Sequence, residues 1–436
     1  LTSPTVPILQ SELRCEQSPT DVCRRVRRRG RAAVFLDGCG GFAESWFVGP
    51  LVALAPRLLR AAALEDLDAR IAGRRARGGT PETGVAVLVA YEALHAGGRG
   101  GAGLPGIAAF EVDASLRFVR AGLARLTSRA GANTPGACER ILQDVVPVEP
   151  DPPAAREGEV TTSLPRDRYL EGVRRIREHI ARGDIYQANL CQIYTASYRG
   201  DPFELYAKLA AASPAPHSAF VEAPGFALAS ISPETFLRAR RPGEIETWPI
   251  KGTRPRGADR EADRRSAAEL ARSPKDRAEL LMIVDLERND LSRVCRAGSV
   301  QVRDLARLRS YATVHHLVAG IRGELREGVG PAEVLRATFP GGSITGAPKL
   351  RAMEILRALE PVERHWFTGG LFWFGDDGSL DSSILIRSWV FDGAAARLGA
   401  GGGIVTDSDP EQEWHESKLK AAALARALGF DPEEAR

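Results

Sequence analysis

The segment WPIKGTRPRG (248–257) sets one lysine between an apolar Pro-Ile pair and a glycine, in a chain whose 59 lysines and arginines include only six lysines. None precedes Lys208; the others are Lys251, Lys275, Lys349, Lys418 and Lys420. Surface cations here have been free to be arginine. A retained lysine is therefore a candidate for what a guanidinium cannot do, which is to lose its proton and act as a nucleophile. On this count alone, a lysine merely left over stays open as the alternative for each of the six. Acids form the second group. Asp276 and Glu279 are three residues apart, and Glu413, Glu416 and Lys420 are three and then four apart, so each set shares one helical face. Carboxylates brought from two separate helices suit Mg²⁺, which takes few protein oxygens, keeps several waters and touches the substrate. Solvated helix acids fit the same spacing. Zinc is disfavoured, because the seven histidines show no ligand spacing.

Two glycine-rich segments remain. PGGSITGAPK (340–349) lacks the ending of a phosphate loop, and GAGGGIVTDSDP (399–410) runs into a fresh helix cap rather than directly into a helix, unlike a dinucleotide fingerprint. They offer either backbone N–H groups that can approach an anion closely, or ordinary tight turns. With Arg387 and Lys420 as cations for carboxylates, the combination describes a site for a small di-acid.

The elements that must position these residues are partly readable. Tyr169, Val173, Ile176 and Ile180 keep helical spacing, with Gly183 where a helix would end. DIYQANLCQIYTA (184–196) alternates as a strand, with the amides of Gln187 and Asn189 on one face, either solvated or lining a pocket. Ser273-Pro274-Lys275-Asp276 and Asp409-Pro410-Glu411-Gln412 open two helices with a capping side chain. LFWF (371–374), a GDDG turn and SSILIRSWVFDG (382–393) predict a β-hairpin whose second strand carries Ser383, Leu385, Arg387 and Trp389 on one face. VEPDPPAAREGEV (148–160) reads as a connector, dividing residues 1–155, with apolar runs such as AAVFLDG (32–38) and VAVLVAYEAL (85–94), from residues 156–436, which hold the chemistry. No internal repeat is present.

Composition narrows the class. Hydrophobic and charged contents of 44% and 26% are those of a globular chain, and a net charge of +3 argues against a broad nucleic-acid surface. The basic run Arg24–Arg31 is expected to be a solvated face. No apolar run approaches the ~18 residues of a membrane span. The N-terminus lacks a signal-peptide layout, and Leu1 suggests a trimmed or unusual start. Six scattered cysteines without a CxxC pair fit reduced thiols and a cytoplasmic location.

GDIYQANL (183–190), SPETFL (232–237), PIKGTRPRG (249–257), KDRAELLMIVDLERNDLSRVC (275–295), VHHLV (314–318), FPGGSITGAPKLRAMEIL (339–356), IRS (386–388) and AGGGIV (400–405) together resemble the chorismate-utilising enzymes. The resemblance is specific over residues ~165–425 and loose before them. It implies an α+β fold like that of anthranilate synthase component I, with two large antiparallel sheets packed as a sandwich and helices outside. The lysine at position 251 is the residue of the para-aminobenzoate-forming branch; anthranilate-forming members typically carry alanine there. The resemblance implies that Lys251 attacks chorismate at C2 and that ammonia then adds at C4, with the enolpyruvyl group retained. It places Glu279 and Glu416, with Glu413 less firmly, on Mg²⁺. Glu234 and His316 fall to catalysis, and Gln187, Thr253, Thr345, Arg387, Gly401, Gly402 and Lys420 to substrate. Gln187 occupies the position of a water-activating lysine in isochorismate-forming relatives, which argues against water as nucleophile. Family members often show Gly-Tyr where this chain has Phe372-Trp373, and His217 replaces an aromatic of a tryptophan pocket, so tryptophan binding is an open expectation. No glutaminase-like stretch is present, so ammonia is expected from a separate glutamine amidotransferase subunit. Anthranilate synthase, isochorismate synthase and a non-catalytic chorismate-binding regulator are the rival readings.

Overall fold

The computed structural model describes residues 6–29, 32–38, 46, 49–59, 64–94, 104–129, 155–311, 314–393 and 395–436. Among them, a twelve-stranded and a ten-stranded sheet carry the fold, and every named strand pairing is antiparallel. Residue patterning explains why the sheets stack. In Ala33–Leu36, Phe35 packs outward under helices while Val34 and Leu36 face the other sheet; in Gly84–Val89, Val85, Val87 and Val89 face helices while Ala86 and Leu88 face inward. Strands buried on both faces read as continuous apolar runs, which is why these two segments gave no alternating signal. The inter-sheet layer holds Trp46, Phe110, Trp366 and Trp373. Helices Pro19–Arg29, Pro202–Ala212 and Pro410–Ala427 cover one outer face, and helices Leu64–Ala76, Pro274–Ser292 and Pro331–Thr338 cover the other.

Both sheets draw strands from either side of residue 155: Ala33–Leu36 pairs with His217–Ala223, and Gly84–Val89 pairs with Gly370–Gly375. Part of the expected connector is strand Ala155–Thr162, paired with Gln187–Arg199; residues 148–154 lie outside the described residues. Cys15, Cys23, Cys191 and Cys295 are free thiols, and Cys39 and Cys138 lie outside the described residues.

Three sequence expectations change. The arginine run is not simply a solvated face. Arg24 is buried and pairs with Glu204 at 2.6 Å, and Arg27 pairs with Asp201 and Glu222 at 2.7 Å while lying over the Phe203 and Phe220 rings. Once its carboxylates arrive from distant sequence, a cationic helix face can be internal. The stretch 382–393 is not one strand. Leu380–Ile384 completes the hairpin in the ten-stranded sheet, and Ser388–Asp392 belongs to the twelve-stranded sheet. The chain changes sheets at Arg387, which adopts φ +51, a conformation uncommon for a side-chain-bearing residue and concentrated at functional sites. Phe372 and Trp373 are fully buried core residues, so the family's hairpin tyrosine has no counterpart facing substrate at these positions.

Candidate active site

The sheet switch, a bulged strand and Lys420 of helix Pro410–Ala427 meet at one cavity of about 210 Å³, whose walls include Glu234, Lys251, Thr253, His316, Arg387 and Lys420; Glu279, Glu413 and Glu416 are not among its walls. Lys251 sits on strand Ile250–Pro255, whose register with Val314–Glu324 shifts between Lys251 and Thr253. The bulge lets Ile250, Lys251 and Thr253 all reach the cavity, although strict alternation would turn one parity away. Gly252 makes it possible. Its φ is +73, and a Cβ there would sit 2.8 Å from Leu270 and 2.9 Å from Asp276. The bulge thus packs directly against the start of the Pro274–Ser292 helix, which carries Glu279.

Both expected caps are in place: the Ser273 hydroxyl accepts from the Asp276 N–H at 3.2 Å, and the Asp409 carboxylate accepts from the Gln412 N–H at 3.0 Å. Asp276 is taken up by Arg254 at 3.2 Å, whereas Glu279 makes no ion pair among the described residues. On the second helix Lys420 bridges Glu416 at 2.7 Å and the Gly401 carbonyl at 3.1 Å. Glu413 is buried, with one oxygen 2.6 Å from the Ser408 hydroxyl and the other turned toward Gly402.

Burial dominates the electrostatics. It pushes the Lys251 amine below its ordinary pKa against the opposing pull of Glu279, and raises the Glu234 carboxyl against the pull of Ser343 and Lys251. Glu234 is 5% exposed and its Oε1 has no hydrogen-bond partner. Glu279 is raised by burial as well, while at Glu416 burial pushes the carboxyl up but the cations Lys420, Lys275 and Lys251 together bring it below its ordinary value. Arg387 is lowered by burial alone, and among the described residues no carboxylate pairs with it. His316 is pushed down to about 4 by burial, with its Nδ1 2.9 Å from the Thr253 hydroxyl.

Not every expected residue reaches the cavity wall. Gln187 is fully buried against Gly403, with both amide heteroatoms unpartnered, and does not line the cavity. Thr345 donates its hydroxyl to the Gly341 carbonyl at 2.9 Å, and its own carbonyl accepts from the Asn189 N–H at 2.8 Å, so it ties the glycine loop to the strand. Gly401 lines the cavity, whereas Gly402 faces Glu413 and Lys420. Conversely, Asn189, Ser343, Phe367 and Thr368 line it and were not singled out as site residues. Asn189 carried a signal, the shared amide face of its strand. Phe367 and Thr368 carried none, because they sit in an irregular turn.

Among the described residues, no three His, Cys, Asp or Glu side chains form a metal cluster. Two carboxylates, Glu279 and Glu416, each within the other's field, are an incomplete set that suits Mg²⁺ with waters and a substrate carboxylate rather than a closed protein cage.

The chain belongs to the chorismate-binding enzymes, whose family model matches residues 33–426. It is 47% identical over 266 residues to aminodeoxychorismate synthase component 1 of Klebsiella aerogenes, covering 61% of this chain and 59% of that protein. It is 42% identical over 278 residues to anthranilate synthase component 1 of Methanothermobacter thermautotrophicus, covering 63% and 60%. The chain thus matches about three-fifths of the length of these curated relatives. The menaquinone-specific isochorismate synthase of Escherichia coli superposes with a TM-score of 0.77 at 18% identity, over 98% of this chain and 95% of that one, which establishes a shared fold.

Proposed function

We propose that the chain is an aminodeoxychorismate synthase component I, converting chorismate and ammonia to 4-amino-4-deoxychorismate and water for para-aminobenzoate and folate synthesis. The observation that carries this reading is Lys251, a half-buried amine with a lowered pKa on the wall of the cavity, at a position where anthranilate-forming members of the family typically carry alanine. The Lys251 nitrogen bonds to C2 of chorismate, the ring double bonds shift, and the C4 hydroxyl leaves. Ammonia then bonds to C4, the bonds shift back, and the C2–nitrogen bond breaks to regenerate the lysine.

Burial lowers the lysine and raises Glu234, and each lies in the other's field, so the two differ less in proton affinity than they would in water. Glu234 is then the acid available to the departing hydroxyl. His316, neutral at physiological pH, serves as a hydrogen-bond donor through Nε2 when Nδ1 accepts from Thr253, and not as a charged acid. Arg387, unpaired and half-buried, receives a substrate carboxylate, and Lys420 a second. Glu279 and Glu416 would hold Mg²⁺, which would supply positive charge beside the substrate carboxylate and the leaving group. Ammonia comes from a separate glutamine amidotransferase subunit. No described helix is long and apolar enough to cross a membrane, and the reading places the protein in the cytoplasm.

Anthranilate synthase is the second reading, because an anthranilate-forming relative matches at 42% identity. Product mass from purified protein with chorismate, Mg²⁺ and ammonium separates the two. An amino-for-hydroxyl exchange without pyruvate is expected; anthranilate with equimolar pyruvate would overturn the assignment.

A further inference from the structure

One side of the cavity is built from three separate segments: Asn189 on strand Gln187–Arg199, Ser343 and Ile344 on the short turn Gly342–Ile344, and Phe367 with Thr368 in an irregular turn. None continues another as regular structure, so their alignment depends on side chains. Arg364, which does not line the cavity, reaches the backs of all three. It is 3% exposed, and its guanidinium donates to the Ile344 carbonyl at 2.8 Å and to the Asn189 carbonyl, with the Thr368 hydroxyl at 3.5 Å. The Arg364 carbonyl accepts from the Phe367 N–H at 3.1 Å. Asn189 adds a bond from its side-chain amide to the same Ile344 carbonyl at 3.2 Å.

The charge itself is held from two sides. Glu360, at the end of helix Lys349–Leu359, accepts from Arg364 Nε at 2.8 Å and Nη2 at 2.6 Å, and also from the Cys191 N–H at 2.9 Å. The guanidinium carbon lies 4.5 Å from the centre of the Tyr91 ring, and the adjoining Glu92 carboxylate accepts from the Arg364 and His365 N–H groups at 2.8 and 3.1 Å. A guanidinium suits this place because its five donors lie in one plane and serve two carbonyls and a carboxylate together; an ammonium offers three donors from a single point. A buried ion pair adds little stability over apolar side chains of the same volume, so its use here is to fix geometry.

We propose that Arg364 is a positioning residue for the reaction: it fixes the wall of Asn189, Ile344 and Thr368 against which the substrate ring is seated opposite Lys251. The inference rests on the amination reading above. In that reading Arg387 and Lys420 take the substrate carboxylates, so Arg364 governs where the ring sits and not whether it binds. A wall that shifts outward lengthens the path from the Lys251 nitrogen to C2, and misplacement by about 1 Å costs on the order of 100-fold in rate.

Steady-state chorismate consumption at pH 8 with Mg²⁺ and ammonium, alongside denaturant unfolding, tests the wall. Arg364→Lys keeps a charge beside Glu360 but cannot serve both carbonyls and the carboxylate. It is expected to lower kcat about 30- to 100-fold and to leave the KM for chorismate within about threefold. Arg74→Met, which weakens a buried ion network that does not line the cavity, is the control for lost stability and keeps the parent kcat. Parent-like kcat in folded Arg364→Lys would overturn the proposal, as would a loss carried by KM alone or an equal loss of kcat in Arg74→Met. Should Arg364→Lys fail to fold, Glu92→Gln replaces one acceptor of the same turn by a donor and is expected to lower kcat about fivefold. Parent-like kcat there overturns the proposal in the same way. Burial pushes Glu92 up to about 7, so pH 8 keeps it largely ionised in the parent. Anthranilate and pyruvate from the parent would instead remove the amination reading, and chorismate consumption by the variants would still decide the role of Arg364.

Discussion

At Asp376 the buried carboxylate accepts from Arg74 Nε at 2.8 Å, Arg74 Nη2 at 2.9 Å, Arg129 at 2.7 Å and the Thr83 hydroxyl at 2.7 Å, and Arg74 goes on to Asp113 and the Val112 carbonyl. At Glu234, equally buried, one oxygen accepts nothing from the described residues, and among them the Arg387 guanidinium across the same cavity has no carboxylate. Both regions take charge out of water. In the first, each charge brings its partner along, and the network fastens residues before position 130 to the hairpin turn. In the second, partners are withheld, and the cost of burying unsatisfied charge is offset by whatever enters. The contrast separates charge that builds the fold from charge that waits for a ligand.

The comparison breaks most severely at Lys251. Lys251→Ala should lower amination by on the order of 10³-fold or more, and Lys251→Arg should not restore it, since a guanidinium keeps its proton; product quantification on both variants checks this. Parent-like turnover in the alanine variant would show that no covalent step passes through this residue. Next come the two arginines. Arg74→Met removes two of the four donors to the buried Asp376 carboxylate, leaving Arg129 and Thr83, and should cost about 2–3 kcal/mol of unfolding free energy in a denaturant titration. Arg387→Met strands nothing and should leave stability unchanged or slightly raised, while raising the KM for chorismate by about tenfold to 100-fold. Equal destabilisation by both would erase the distinction. The smallest effect concerns pH. His316 has a folded pKa of about 4 against an ordinary 6.5, so as pH falls through this window the unfolded chain takes the proton first and stability declines. Replacing His316 with Gln should remove about 3 kcal/mol of that decline between pH 6.5 and 4, measured as the difference between parent and variant unfolding curves.

Local signals were the legible part. The caps at Ser273 and Asp409 and the helix end at Gly183 with φ +78 follow from interactions between near neighbours and are present as read, whereas of the two amides on one face of strand 187–199 only Asn189 lines the cavity and Gln187 is buried away from it. Lys251 stood out because a compositional bias toward arginine left it unexplained. Glu279, Glu416, Glu234 and His316 came with the family resemblance, and the fold brings them around one site.

What could not be read depends on contacts across the sheets. Ser382 to Asp392 carries strand-forming residues throughout, so nothing local announces that the chain leaves one sheet and joins the other at Arg387. Arg24 and Arg27 looked solvated because Glu204, Asp201 and Glu222 lie far away in sequence. Phe367 reaches the site only because Gly399, on another strand, leaves room for its ring. By itself the sequence determined which groups can do chemistry and which short elements carry them, since both depend on residue type and spacing. Tertiary structure alone decided which charges are paired, which stay open, and which glycine lies beneath which ring. Those outcomes depend on distances between strands far apart in the chain, and burial turns small differences in those distances into large differences in the cost of a bare charge.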